Sequence, residues 1–573
     1  MKYQLSECRG PGYRARPSSF RGLWLFLSLL SLVPFLRAGE ADREDGIRFV
    51  DVAPLSDIRY TSNNDFGGRK YFPQPMCGGV AIFDYDNDGR LDIFFTNGAK
   101  LPELKKSDPS FYSCLLRNKG NGRFEDVTHQ AGVEGANLDF TFGVAAGDFD
   151  NDGDTDLFLC NAGPNALYRN NGDGTFTEVT AGSGLDKKPK DLLSVVAAWF
   201  DYDRDGLLDL VVSEYTYWNP EDDKACLMAD GRAFYCNPQT VVSVPHNLYH
   251  NLGGGKFEDV TEKSGFAKSL GKGMGVGIAD FNQDGWLDVF VANDTVQNFL
   301  YLNQGDGTFD EASLFLGVAY NTEASRVSGM GCDVNDFNND GWIDIFYNNL
   351  QNQIHALFAN QSGEYFDYVS PRTNVAFESR RFSGWSNGFI DFDNDGWKDI
   401  YSANGDVDYL GENAAQHDTM LKNLEGTRFE DVSASLGDDF MRAGFQRGSA
   451  FGDLNDDGFQ DIVVTSLNEK PRILINSADN GNHWLTLALT GEKSPRDAIG
   501  ASIKVTTESG RALYNLVSTS VGFMSTSDRR VHFGLGSESK VREIEVHWPS
   551  GTVQTLQNVK ADQVVRLKEP AKE

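Results

Sequence analysis

From residue 46 to about residue 478 the chain alternates short apolar runs with polar stretches dense in Asp, Asn and Gly. The runs IFFTN from Ile93, LFLCN from Leu157, LVVSE from Leu210 and VFVAN from Val289 are too short for helices and rich in β-branched and aromatic residues, which predicts buried β-strands. A second apolar element follows: LLRN at Leu115, LYRN at Leu167, LYHN at Leu248, LYLN at Leu300, LFAN at Leu357, MLKN at Met420 and ILIN at Ile473. After six of these comes a third: FEDVT at Phe124, FTEVT at Phe176, FEDVT at Phe257, FDEAS at Phe309, FDYVS at Phe366 and FEDVS at Phe429. Turns such as NKGNGR and NNGDGT join the second element to the third, so each unit reads as a β-meander. Units this small cannot bury their faces alone and must stack, and seven falls within the usual range for a closed propeller. The last unit lacks its third element, whereas FVDVA at Phe49 to Ala53 stands unmatched at the start. That strand is expected to close the ring beside Ile473 to Asn476, removing an exposed edge.

Each unit opens on a loop of one pattern. The copies are DYDNDGRLD (Asp84), DFDNDGDTD (Asp148), DYDRDGLLD (Asp201), DFNQDGWLD (Asp280), DFNNDGWID (Asp336), DFDNDGWKD (Asp391) and DLNDDGFQD (Asp453), starting 64, 53, 79, 56, 55 and 62 residues apart. Position 1 is Asp84, Asp148, Asp201, Asp280, Asp336, Asp391 or Asp453; position 5 is Asp88, Asp152, Asp205, Asp284, Asp340, Asp395 or Asp457; position 9 is Asp92, Asp156, Asp209, Asp288, Asp344, Asp399 or Asp461. Position 3 is Asp86, Asp150, Asp203 or Asp393 in four copies and Asn282, Asn338 or Asn455 in three, a change that keeps an oxygen donor. Hard oxygens at alternate residues suit calcium, with a backbone carbonyl expected from position 7: Arg90, Asp154, Leu207, Trp286, Trp342, Trp397 or Phe459. Glycine at position 6 permits the sharp turn. An EF-hand is excluded, because position 12 is Phe95, Leu159, Val212, Val291, Tyr347, Ser402 or Val464, never the bidentate Glu. Up to seven calcium ions are expected.

Charge agrees. Of 83 acidic residues, 25 are the Asp at positions 1, 3, 5 and 9 of these loops, and without them 58 face 52 basic residues. The acidity sits in the loops, and a surface of this sign excludes nucleic acid as a partner.

From Asn482 the pattern changes to HWLTLALTG, AIGASIKVTT, RALYNLVSTS, VHFGLGS and VREIEVHWPSG, a second all-β domain. The loop-bearing units resemble the FG-GAP/VCBS repeats of integrin α-subunit propellers and of secreted bacterial proteins. NHWLTLAL, RDAIGASIKV, HFGLG and VHWPSGTVQTLQNV resemble the ASPIC/UnbV domain that follows such propellers in the cartilage acidic protein-like family. Animal members carry an EGF-like module, which the residues up to Glu573 do not contain, so the resemblance is to the bacterial type. The expected fold is all-β: a seven-bladed propeller over 46–478 and a small β-sandwich-like domain over 482–569.

Residues 1–41 read as a secretory signal peptide. Lys2, Arg9, Arg14, Arg16 and Arg21 precede the apolar run Leu23 to Leu36, and small residues follow at Ala38, Gly39 and Ala41. No stable membrane span is expected after cleavage. The expected location is secreted or cell-envelope, where calcium at roughly 0.1–1 mM suits weak sites. Cleavage removes Cys8 and leaves Cys77, Cys114, Cys160, Cys226, Cys236 and Cys332. A bridge is expected between Cys226 and Cys236, in the longest gap between loops, while the other four allow three pairings or free thiols. No nucleophile elbow, phosphate loop or dinucleotide fingerprint occurs, and His246 and His250 fall on an expected strand, against a helical zinc pair. The function expected is a non-enzymatic extracellular binding or adhesion module for protein or polysaccharide. The alternative is a carbohydrate-active enzyme of lyase or dehydratase type, marked by a deep axial pocket of convergent catalytic groups.

Overall fold

In a computed structural model, residues 46–571 are described apart from 322–324, 409, 410 and 412; the expected signal peptide lies outside the described residues. The apolar runs and the L-x-x-N and F-x-x-V elements form the strands predicted for them, because each has one face to bury and a turn at either end. In the first repeat, Val80–Phe83, Asp92–Phe95, Cys114–Asn118 and Phe124–Asp126 pair antiparallel in that order. The same four-strand order recurs from Phe140–Gly147, Leu192–Phe200, Gly273–Ala279, Cys332–Asn335, Gly384–Ile390 and Gln446–Gly452, each the first strand of its group. The second and third groups join into one eight-stranded sheet through Leu193 and Ala162. First strands lie side by side in chain order, and the last returns to the first.

The final group takes its outer strand from the other end of the chain: Phe49 pairs with Asn476, Val50 with Ile475 and Asp51 with Leu474. The strand is shorter than the expected Phe49 to Ala53, since Ala53–Leu55 turns into a 3-10 helix with Pro54 inside it. Four short helices that the sequence pattern did not announce follow the outer strands: Thr128–Ala131, Thr261–Ser264, Ser313–Leu316 and Val375–Ser379.

The asparagine of L-x-x-N ties neighbouring blades together. Asn118 Nδ2 donates to Leu91 O at 3.0 Å in its own blade and to Leu454 O at 2.8 Å in the last. Asn170 reaches Tyr85 O, Asn251 Phe149 O, Asn303 Tyr202 O, Asn360 Phe281 O, Asn423 Phe337 O and Asn476 Phe392 O. Each bond runs to the preceding blade's loop, and the one from Asn118 closes the circle.

The C-terminal domain holds two sheets. One is Val531–Gly536, His483–Thr490 and Gln563–Lys568; the other is Ala512–Leu516, Ser502–Thr507, Lys540–His547 and Val553–Lys560. Their apolar residues share a core that includes Leu487, Val505, Phe533 and Ile544. The run RALYNLVSTS was expected as one strand, but its strand ends at Leu516. Residues 520–528 instead leave the domain and enter the ring between the first strands. Thr526 N–H donates to Val80 O at 2.9 Å, Val144 N–H to Met524 O at 3.2 Å, Gly522 N–H to Cys332 O at 2.8 Å and Asp528 N–H to Phe451 O at 3.0 Å. Phe523 and Met524, both fully buried, pack with Phe142, Met274, Met330 and Trp385. Gly331 permits the approach, since a Cβ there would lie 2.5 Å from the Gly522 carbonyl carbon.

Candidate metal centres

The loops fold on their own carboxylates. Asp84 Oδ1 accepts the Asp88 N–H at 3.1 Å and its Oδ2 the Gly89 N–H at 2.9 Å, which coils the chain around position 1. Asp148, Asp201, Asp280, Asp336, Asp391 and Asp453 hold the same two groups. The turn drives position 4 to φ of 55° to 62° and the position-6 glycine to 87° to 101°, the left-handed region that glycine enters without cost.

Position 9 is a staple. Asp92 Oδ2 accepts the Tyr85 N–H at 3.1 Å and Oδ1 the Asn118 N–H at 2.7 Å, fixing the loop to the third strand. Asp156, Asp209, Asp288, Asp344, Asp399 and Asp461 repeat the pair of bonds and are all fully buried. Position 9 therefore has an architectural role beside the ligand role expected of it. Position 5 accepts the position-7 N–H in every loop, from Arg90, Asp154, Leu207, Trp286, Trp342, Trp397 and Phe459. The tryptophans at position 7 lie over turn glycines of their own blades, Trp286 on Gly305, Trp342 on Gly363 and Trp397 on Gly426, so they pack within the blade.

Position 3 differs. Oδ1 of Asp86, Asp150 and Asp393 is buried with no hydrogen-bond partner, and Asp393 as a whole is 6% exposed. Oxygens of Asp84, Asp86 and Asp92 lie within 4.8 Å of one another, as do those of Asp148, Asp150 and Asp156, of Asp201, Asp203 and Asp205, and of Asp391, Asp393 and Asp399. A buried anionic oxygen without a donor is costly, and a small hard cation at the centre of such a set relieves the cost. The donor set therefore fits a divalent metal. In the other three loops Asn282, Asn338 and Asn455 accept the position-5 N–H through Oδ1.

Burial sets the electrostatics. It pushes Asp92 up to about 8 and Asp156 up to about 9, outweighing the backbone bonds that pull the other way, with neighbouring loop carboxylates adding to the rise. Asp148 and Asp201 reach about 7, and Asp391, Asp399 and Asp461 lie well above the ordinary carboxylate range for the same reason.

The two histidines of HNLYHN part company. His246 is buried and accepts the Glu214 N–H at 3.2 Å, whereas His250, on the strand Asn247–Asn251, places Nδ1 3.2 Å from Asp209 and 3.4 Å from Asp203. Its position in L-x-x-N was the available signal.

The C-terminal domain sits on the loop end of the ring. Asp148 N–H donates to Asp497 at 2.8 Å, Arg496 N–H to Asn151 at 3.0 Å, Arg511 Nη1 to Asp395 O at 2.9 Å, and His532 Nε2 lies 2.7 Å from Asn394 Oδ1.

A ring of four-stranded blades, each with an acidic loop between its first two strands, defines a repeat-built β-propeller. The chain belongs to the FG-GAP-like repeat family and carries an ASPIC and UnbV domain: the repeat model matches residues 84–159, 148–212, 240–291, 280–335 and 336–402, and the domain model 491–573. It is 24% identical over 561 residues to cartilage acidic protein 1 of Homo sapiens, covering 93% of this chain and 77% of that protein. To the Xenopus tropicalis protein of the same name it is 25% identical over 506 residues, covering 84% and 72%. Among solved structures, a lectin from Burkholderia pseudomallei matches at 10% identity with a TM-score of 0.42, covering 70% of this chain and 97% of that one. A Bacillus licheniformis rhamnogalacturonan lyase matches at 10% identity and 0.38, covering 76% of each chain.

Proposed function

We propose that this chain is a calcium-stabilised, non-enzymatic extracellular protein that binds a protein or a polysaccharide. The observation that carries the metal is the buried, unpartnered Oδ1 at position 3 of three loops. Side chains at positions 1, 3 and 5 would hold the ion, with the remaining lone pairs of position 9 and the carbonyl of position 7 completing six to eight oxygens. When bound, calcium supplies the positive charge that buried carboxylates lack. Export is supported by the Cys226–Cys236 bridge. Cys77, Cys114, Cys160 and Cys332 are buried free thiols. Among the described residues no helix is long and apolar enough to cross a membrane.

Binding is favoured over catalysis because residues 520–528 fill the ring axis, the place where a propeller enzyme would converge its catalytic groups. With the C-terminal domain on the loop end, the opposite end is the ligand face. A groove of about 480 Å³ there is lined by Glu103, Lys190, Trp218 and Glu221 among others. Glycan and secreted-protein arrays, probed with and without chelator, test this. The expected result is a ligand whose binding fails in chelator and weakens on Lys190→Glu; release of unsaturated oligosaccharides from a polyuronide would overturn the non-enzymatic reading.

A further inference from the structure

The third residue of L-x-x-N lies on the third strand, outside the loops, yet it tracks their chemistry. In four blades it is basic. Arg117 Nη2 lies 2.7 Å from Asp86 Oδ2 and 3.1 Å from Asp88 Oδ2. Lys422 Nζ pairs with Asp393 Oδ2 and lies 3.2 Å from Asp395 Oδ2. His250 pairs with Asp203 and Asp209, and Arg169 holds the same place on the third strand Ala166–Asn170 of the second blade. These are the four blades whose loops have Asp at position 3. In the three with Asn, the matching residue is Leu302, Ala359 or Ile475.

Hydrogen bonds explain the match. The cation engages Oδ2 of positions 3 and 5 in the Arg117 and Lys422 blades, leaving the position-3 Oδ1 of Asp86 and Asp393 without a partner. Where position 3 is Asn, its own Nδ2 donates to the same position-5 oxygen: Asn282 to Asp284 at 2.9 Å, Asn338 to Asp340 at 2.9 Å and Asn455 to Asp457 at 2.8 Å. Other cations reach the loops differently. Arg90 pairs with Asp88 from within its loop, while Lys398 and Arg530 meet the position-1 carbonyls of Asp336 and Asp453.

We propose that Arg117, Arg169 or Lys422 on the third strand is a counter-charge matched to the position-3 aspartate of its blade, so that positions 1, 3, 5 and 9 together with that residue offer a divalent cation the same net charge as the Asn-bearing loops do. Four carboxylates with one cation, or three carboxylates with a neutral neighbour, leave three negative charges either way. The proposal rests on the calcium reading of the loops. It makes Arg117, Arg169 and Lys422 affinity-setting residues that do not ligate the metal.

The test is a cycle on the full chain: Asp86→Asn, Arg117→Leu and the double variant, which rewrites the first loop in the pattern of the fourth. Arg117→Leu alone is expected to lower the melting temperature in chelator by about 1–2 °C and to tighten calcium at one site on the order of tenfold, since a divalent ion loses a repelling charge nearby. The double variant is expected to return both readouts to wild type. Chelator losses that simply add in the double variant, or an Arg117→Leu protein unchanged in both readouts, would overturn the proposal. Asp393→Asn with Lys422→Leu repeats the cycle should the first variants fail to fold. Calcium titration of the wild type separates the two ideas: no binding there sinks the calcium reading, while the chelator melts still report the matched pair.

Discussion

An aspartate at position 9 and one at position 3 look alike in the sequence but answer to different physics. Asp461 gives both oxygens to the Leu454 and Asn476 N–H groups. Asp461→Ala would leave two buried donors unpaired, each costing about 1–3 kcal/mol, and chemical denaturation should show that loss with or without calcium. Asp393→Ala removes one oxygen that no protein donor uses and one that Lys422 uses, so the loss should be larger in calcium-loaded than in metal-free protein. Titration follows from the same burial. The folded chain holds protons on Asp92 and Asp156 up to about 8 and about 9, whereas an unfolded aspartate releases them near 3.9. The contribution of these two groups to metal-free stability is therefore full at acid pH and is lost as pH rises through that window. Melts in chelator should fall from about pH 5 to about pH 8, and calcium, which displaces those protons, should flatten the decline.

Among the elements, the strand Phe49–Asp51 completes the last blade. Its removal exposes the edge of Arg472–Asn476 and uncovers Phe49, which packs on Phe440 at 5.5 Å between ring centres. Deleting 46–55 should lower the melting temperature of the whole ring and promote aggregation through the open edge; trimming after Pro570 should not. The Cys226–Cys236 bridge, ten residues apart in sequence, belongs to an insertion with one small hairpin of its own. Cys226→Ser with Cys236→Ser should speed proteolysis within that insertion and leave the ring's melt nearly unchanged.

For the whole molecule, the ring and the C-terminal domain stand or fall together. Met524 lies fully buried at the axis among Phe142, Met274, Met330 and Trp385. Met524→Ala should cost about 2–5 kcal/mol, read as destabilisation of the propeller although the substitution lies in the other domain. An unchanged ring would show that the axial segment is a passive filler.

The repeat, its strands and its acidic loops were legible because each is written locally. Alternation, length and turn residues act over a few positions, and a pattern such as DYDNDGRLD states its own hydrogen bonds through Asp84, Gly89 and Asp92. The closing strand was legible for a related reason, since six copies of one element among seven repeats leave FVDVA without another place. The rest depended on contacts between distant residues. VGFMSTSD, which follows the run RALYNLVSTS, carries no repeat or loop motif, and the partners of this segment come from blades spread from Val80 to Phe451, so nothing near Met524 in sequence marks it as the filling of the axis. The division of labour among the aspartates was equally hidden. Which carboxylate staples and which keeps a free oxygen depends on the N–H groups and cations that the third strand brings, and only the folded blade sets those beside the loop.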